Sequence, residues 1–200
     1  MGRHQAEARV DDELAPTASL LAEIERLKRE IAIARARIAD LEARADVDPL
    51  LDILNRRGFE RELTRGLAHM KRYGTHAALM FIDLDAFKAV NDRYGHGVGD
   101  ALLKAVAREL LAHVRASDVV GRLGGDEFGV LVWRVDEAQA AAKAREIEEL
   151  IGRVGVIHGQ ARVQVGASVG AAALAVDASP AEMISAADRA MYARKEERRG

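Results

Sequence analysis

The hydrophobic period of this chain changes abruptly near residue 46, and that change constrains how it can fold. Upstream, Leu20, Ile24, Leu27, Ile31, Ala34, Ile38, Leu41 and Ala45 recur at alternating steps of four and three residues. This is a heptad seam, with Ile24, Ile31 and Ile38 at core position a and Leu20, Leu27 and Leu41 at d. Isoleucine at a with leucine at d favours a parallel two-stranded coil. The flanking charges agree. Glu23 with Lys28, Glu30 with Arg35 and Arg37 with Glu42 occupy successive g and e positions and are opposite in sign. Each such surface pair contributes only tenths of a kcal/mol, so the pairs select orientation more than they stabilise. An amphipathic helix packed on its own domain is the competing reading, but it needs neither the strict step nor the charge matching. Residues 18–46 would form a rod of roughly 43 Å at ~1.5 Å per residue. Residues 1–16 are polar and aperiodic and read as disordered, 17–46 as a coiled-coil dimerisation helix, and 47–200 as a folded domain.

Downstream the pattern is mixed. Asn55 is placed to cap a helix carrying Phe59, Leu63, Leu67 and Met70 that stops before Gly74. Residues 77–83 read as a buried strand, followed by a short helix ending at Gly95. Asp100 reads as the opening of a further helix bearing Leu102, Leu103, Val106, Leu110 and Val114. Residues 119–122 and 128–133 form a hairpin around Gly124-Gly125, and 138–151 a helix. Residues 154–157 and 162–173 are strand-like, and Pro180 suits the first turn of a last helix running to about Glu197. The expected class is an α/β sandwich, with helices on a mainly antiparallel sheet.

Composition narrows the chemistry. The 200 residues include no cysteine, which excludes disulfides, thiol catalysis and zinc–thiolate sites. A net charge of −2 does not suggest a nucleic-acid binder. No apolar run approaches the roughly 20 residues of a membrane span, and the N-terminus lacks a secretion signal. A soluble, cytoplasmic chain is expected, with no membrane or nucleic-acid partner.

Two acidic motifs stand out. Phe81-Ile82-Asp83-Leu84-Asp85 is an apolar strand ending in two carboxylates one residue apart, which share a face if the strand persists. Carboxylates at a strand end suit Mg²⁺, which takes oxygen ligands and usually shares them with phosphate. Gly124-Gly125-Asp126-Glu127-Phe128 joins two permissive glycines to two acids. Taken singly, the first reads as a polar strand end and the second as an ordinary turn. Between them, residues 87–100 bring a lysine, an amide, a glycine-rich loop and an acid close together.

The ordered set resembles the GGDEF-domain diguanylate cyclases. It comprises Asn55-Arg56-Arg57, Asp83-Leu84-Asp85, Phe87-Lys88, Asn91-Asp92, Gly95-His96, Gly99-Asp100 and Arg122 with Gly124 to Phe128. Ser168-Val169-Gly170, Ala187-Asp188, Tyr192 and Lys195 complete it. The resemblance spans about residues 46–199. It implies a polymerase-palm-like fold and an enzyme that condenses two GTP into cyclic di-GMP, releasing two pyrophosphates. Each domain would hold one GTP, so a homodimer would be the catalytic unit, with Mg²⁺ as cofactor and Mn²⁺ as its substitute.

By that resemblance Asp83, the Leu84 carbonyl and Asp126 hold metal. Asp126 also helps deprotonate the attacking hydroxyl, and Glu127 supports metal and nucleotide. Asn91 and Asp100 read guanine. An acid accepts from its N1 and N2 hydrogens, a donor pair adenine lacks. Lys88, Lys195 and Arg199 counter phosphate charge. Backbone amides near Phe87 and Lys88 and the open Gly124-Gly125 turn add to the substrate site.

Arg115-Ala116-Ser117-Asp118, with five residues between it and Gly124, matches the family's RxxD site for product feedback inhibition. Arg145 is the candidate for the second arginine. Without the resemblance, a surface ion pair would account for Arg115 and Asp118. Two departures stand out. Leu50-Leu51-Asp52-Ile53 replaces the frequent Leu-Thr-Gly-Leu, and Lys195-Glu196-Glu197-Arg198-Arg199 lacks the glycine of the common Lys-x-x-Gly-Arg. The alternative to an active enzyme is a catalytically silent module that binds cyclic di-GMP as a receptor. Both signature acids, Asp126 and Glu127, are kept, which favours the enzyme.

Overall fold

The computed structural model describes residues 23–35, 37 and 46–197. The chain divides into two compact units, residues 1–45 and 46–200. In the first unit residues 23–35 are helical. Ile24, Leu27 and Ile31 of the heptad seam are 45%, 44% and 52% exposed in the single chain. Leu20, Ile38, Leu41, Glu42 and Ala45 lie outside the described residues, as do residues 1–16. Within this helix Glu23 and Glu30 pair with Arg26. Among the described residues no helix is long and apolar enough to cross a membrane.

The second unit opens with α1 (Arg56–Tyr73), capped as its sequence dictates. The Asn55 side chain accepts the Gly58 N–H at 3.0 Å, and Gly74 ends the helix in the left-handed region. Then come β1 (Ala77–Asp85), α2 (Phe87–Tyr94), α3 (His96–His113), β2 (Val119–Arg122) and β3 (Glu127–Trp133). α4 (Glu137–Arg153), β4 (Gly155–His158), β5 (Ala161–Gln164), β6 (Gly166–Ala173) and α5 (Pro180–Glu197) complete it.

The main sheet runs β2-β3-β1-β6, with every neighbouring pair antiparallel. β1 lies inside the sheet, and period-two alternation splits its side chains between two apolar layers. Ala78, Met80, Ile82 and Leu84 pack with α3 and α4. Ala77, Leu79 and Phe81 pack with α1 and α5. The antiparallel sheet flanked by helices is thus the expected fold.

Two expectations are corrected. The helix assigned to open at Asp100 begins at His96, so Asp100 stands in its second turn. Burial of Val98 and Gly99 outweighs the poor helix propensity of the glycines. The strand read through 162–173 is two strands. β5 pairs only with β4 as a separate two-stranded sheet, and β6 alone joins β1. Asp52, where the family pattern has glycine, adopts a left-handed φ of 55°. Aspartate tolerates that region better than most residues, which accounts for the departure.

Candidate functional site

The sheet register assembles the acids. β1 persists to Asp85, so Asp83 and Asp85 share the face that carries α1 and α5. Asp83 lies opposite Glu127 of β3 on one side and Ser168 of β6 on the other. The Ser168 hydroxyl donates to Asp85 at 2.8 Å. From α5, the Lys195 ammonium bonds Asp83 directly and stands 4.0 Å from Asp85. Asp126 sits in the turn before β3, its carbonyl accepting the Leu84 N–H at 3.2 Å. Asp83, Leu84, Asp126, Glu127 and Lys195 are therefore brought together at one end of the sheet.

The signature turn is held from several sides. Leu123 N–H donates to the Glu127 carbonyl at 2.8 Å. The Glu127 carboxylate lies over Gly124, where a β-carbon would stand 2.1 Å from its Oε2. Arg56 donates to the Leu123 carbonyl at 2.7 Å and stands 3.7 Å from Glu127. Arg122 donates to the Gly124 and Gly125 carbonyls at 3.0 and 2.6 Å and pairs with Asp48 at 3.1 Å. Burial raises the Asp126 carboxyl above the usual range, and the nearby Asp83 charge adds to it. Burial likewise raises Glu127, opposed by Arg56. Among the described residues no three acidic or histidine side chains already converge as a finished metal cage. The donor set is nonetheless all oxygen, and its acids repel one another. A lysine cation already rests on Asp83. These properties fit a hard divalent cation that completes its shell with water and phosphate.

The substrate candidates sit beside this cluster in sequence. Phe87 is buried at the start of α2, with Lys88 exposed beside it. α2 has no side-chain N-cap, since the methyl group of Ala86 in that position, at a left-handed φ of 56°, carries no acceptor. Asn91 packs its side-chain oxygen against Gly99, where a β-carbon would stand only 2.0 Å away, and Asp100 follows, exposed. Arg199 lies outside the described residues.

Arg115 and Asp118 lie elsewhere, between α3 and β2. The Asp118 carboxylate accepts the backbone N–H groups of Arg115 at 2.9 Å and Trp133 at 3.2 Å, so it closes its own turn. Arg115 is exposed and lines two clefts of about 600 and 430 Å³ that meet at Trp133 and Arg134. Arg145 lines neither cleft. Lys143, two residues earlier and so on a nearly opposite helix face, lines the smaller one. Reading the sequence assigned no role to Arg56, Asp48 or Ser168. Arg56, Arg122 and Ser168 were visible only as members of the motif set, since bonds to turn carbonyls leave no spacing signature.

A strand-end carboxylate pair, an acidic glycine turn and a lysine on one face of an antiparallel sheet define an acidic α/β domain suited to phosphate ligands. Residues 45–200 match the family model of the diguanylate cyclase GGDEF domain, and the chain belongs to that family. It is 39% identical over 155 residues to MucR of Pseudomonas aeruginosa, a bifunctional diguanylate cyclase/cyclic di-GMP phosphodiesterase, covering 76% of this chain and 22% of MucR. It is 36% identical over 166 residues to the diguanylate cyclase TpbB of the same species, covering 81% of this chain and 38% of TpbB. The chain thus spans well under half the length of these curated relatives. Among solved structures, the coiled coil and GGDEF domain of Caulobacter crescentus DgcB, in complex with c-di-GMP, superposes with a TM-score of 0.74 at 26% identity. That match covers 90% of this chain and 95% of DgcB.

Proposed function

We propose that this chain is a diguanylate cyclase, acting as a homodimer through its heptad helix. The observation that carries the reading is the sheet register that sets Asp83 opposite Glu127 and beside the Asp126 turn, with Lys195 bonded to Asp83. In the reaction the 3′-oxygen of each GTP forms a bond to the α-phosphorus of the other. The α–β phosphate bond breaks, pyrophosphate leaves, and the hydroxyl proton passes to an acceptor. Asp126 suits that acceptor role, because its raised pKa makes the carboxylate a stronger base.

Asp83, the Leu84 carbonyl, Asp126 and Glu127 would hold Mg²⁺ or Mn²⁺. The ion would neutralise the triphosphate and polarise the phosphorus. Lys195 and Lys88 counter phosphate charge, with Arg199 assigned the same role. The uncapped N-terminus of α2 offers the amides of Phe87 and Lys88 to phosphate oxygens. Gly124-Gly125 leaves room for the nucleotide, while Asn91 and Asp100 select guanine. Two GTP sites must face each other, and the exposed Ile24, Leu27 and Ile31 supply the surface for a second copy. Arg115, with Asp118 fixed beside it, is assigned to product feedback, and Lys143 replaces Arg145 as the partner cation.

The experiment is incubation of the purified chain with GTP and Mg²⁺, followed by product analysis. One cyclic di-GMP per two pyrophosphates supports the reading. Binding of cyclic di-GMP without any turnover would make the chain a receptor instead.

A further inference from the structure

Asp46 is a buried carboxylate, 1% exposed, that no step of the proposed reaction uses. Arg57 donates to its Oδ1 at 2.7 Å, and Arg61, one turn along α1, pairs with its Oδ2. Its backbone carbonyl accepts the N–H of Asn55, the cap of α1, at 2.8 Å. Stability alone explains this cluster poorly. Replacing a buried charge and its partners by apolar residues of similar volume is often neutral or stabilising. The cluster also leaves Arg61 Nε buried without a hydrogen-bond partner.

What the cluster anchors leads to the signature turn. The Asp48 N–H donates to the Ile53 carbonyl at 2.7 Å, and the Leu54 carbonyl accepts the Arg122 N–H at 2.7 Å. Asp48 pairs with Arg122, which grips the Gly124 and Gly125 carbonyls. Arg56 holds the Leu123 carbonyl. These bonds all start in the ten or so residues that begin at Asp46.

We propose that Asp46, clamped by Arg57 and Arg61, is a positioning residue. By fixing segment 46–55 against α1, it holds residues 122–127 in the geometry the reaction requires. The kinetic part of the proposal rests on the diguanylate cyclase reading; the positional part does not.

The test is Asp46→Asn in the full chain. The substitution keeps the shape and removes the charge. Arg57 and Arg61 are 62% and 39% exposed, so water can reach both side chains once the charge is removed. Amide exchange across residues 122–127 should rise about tenfold while α3 and α4 stay protected. The kcat for GTP should fall about ten- to a hundredfold with KM within about twofold. Unchanged exchange at 122–127, or a uniform rise over the whole domain with kcat tracking the folded fraction, would overturn the proposal. A second variant, Asp46→Leu with Arg57→Met and Arg61→Met, should keep its melting temperature yet retain the raised exchange and lowered kcat. If it exchanges and turns over like the unaltered chain, the cluster is replaceable packing and positions nothing. An unaltered chain that makes no cyclic di-GMP defeats the functional reading instead, and the exchange measurement still decides the positional claim.

Discussion

Gly170 offers a direct way to move the lysine of the site without touching it. The residue lies in β6 opposite Phe81 of β1, and α5 crosses it closely. A β-carbon there would stand 2.0 Å from Met191 N, 2.3 Å from the Ala187 carbonyl oxygen and 2.5 Å from Met191 Cα. All three are backbone atoms, so no rotamer change relieves the clash. In Gly170→Ala the last turns of α5 must lift by roughly an ångström or more, an overpacking that costs about 1–3 kcal/mol. Lys195 lies one turn beyond Met191, so its ammonium is drawn off Asp83. A displacement of about 1 Å at a reacting centre can cost a hundredfold in rate. Urea unfolding and GTP turnover on the same preparation separate the two effects. A variant that stays largely folded should show kcat per folded molecule reduced about ten- to a hundredfold. Leu110→Ala is the control. It opens a cavity in the α3 layer on the other face of the sheet and costs about 2–5 kcal/mol. It should leave kcat per folded molecule unchanged. Unaltered kcat per folded molecule in Gly170→Ala would show that the seating of α5 on β6 does not place Lys195.

The raised carboxyls make a pH prediction. A group whose folded pKa exceeds its unfolded value favours folding below the unfolded pKa, and that contribution is lost as pH rises through the folded pKa. Asp126 and Glu127 are both of this kind, so their ionised forms oppose folding. Asp126→Asn should therefore raise the melting temperature at pH 7 while abolishing turnover, and its advantage should shrink as pH falls into the ordinary carboxylate range. A lower melting temperature at pH 7 would contradict this. Arg115→Ala should weaken product inhibition without changing initial rates, and an identical inhibition curve would remove Arg115 from the feedback site. Leu27→Asp with Ile31→Asp should give monomers by light scattering, with little turnover at low protein concentration. Full activity in a demonstrated monomer would refute the dimer requirement.

Much of this fold could be read from the sequence because its signals are local. Asn55 and Gly74 bracket α1 by capping chemistry, and the short apolar run at 77–83 has the length of a buried strand. The reading failed where tertiary contacts override local preference. Gly97 and Gly99 look like loop residues, yet they form the first turn of α3 because Asn91 packs into the space that Gly99 leaves. Val165 gives no sign that the chain changes sheets there. In the site, the acids were visible as motifs, because strand alternation and the hairpin turn fix where they point. Their supports were not. Arg56 and Arg122 act on backbone carbonyls, Asp48 acts through Arg122, and Asp46 looks like one more surface acid at the end of a charged helix. Only their burial and partners reveal a role. Arg145 lines neither cleft beside Arg115, whereas Lys143 on the same helix lines one of them.

The proposed condensation of two GTP by the sheet-end acids and Lys195 requires two copies of the chain. Its most direct test is GTP turnover with Mg²⁺ over a range of protein concentrations, with cyclic di-GMP and pyrophosphate quantified together. A one-to-two product ratio, specific activity that rises with protein concentration until the dimer is saturated, and no product from Asp126→Ala are expected. Absence of cyclic di-GMP from a folded, dimeric preparation at every concentration would contradict it.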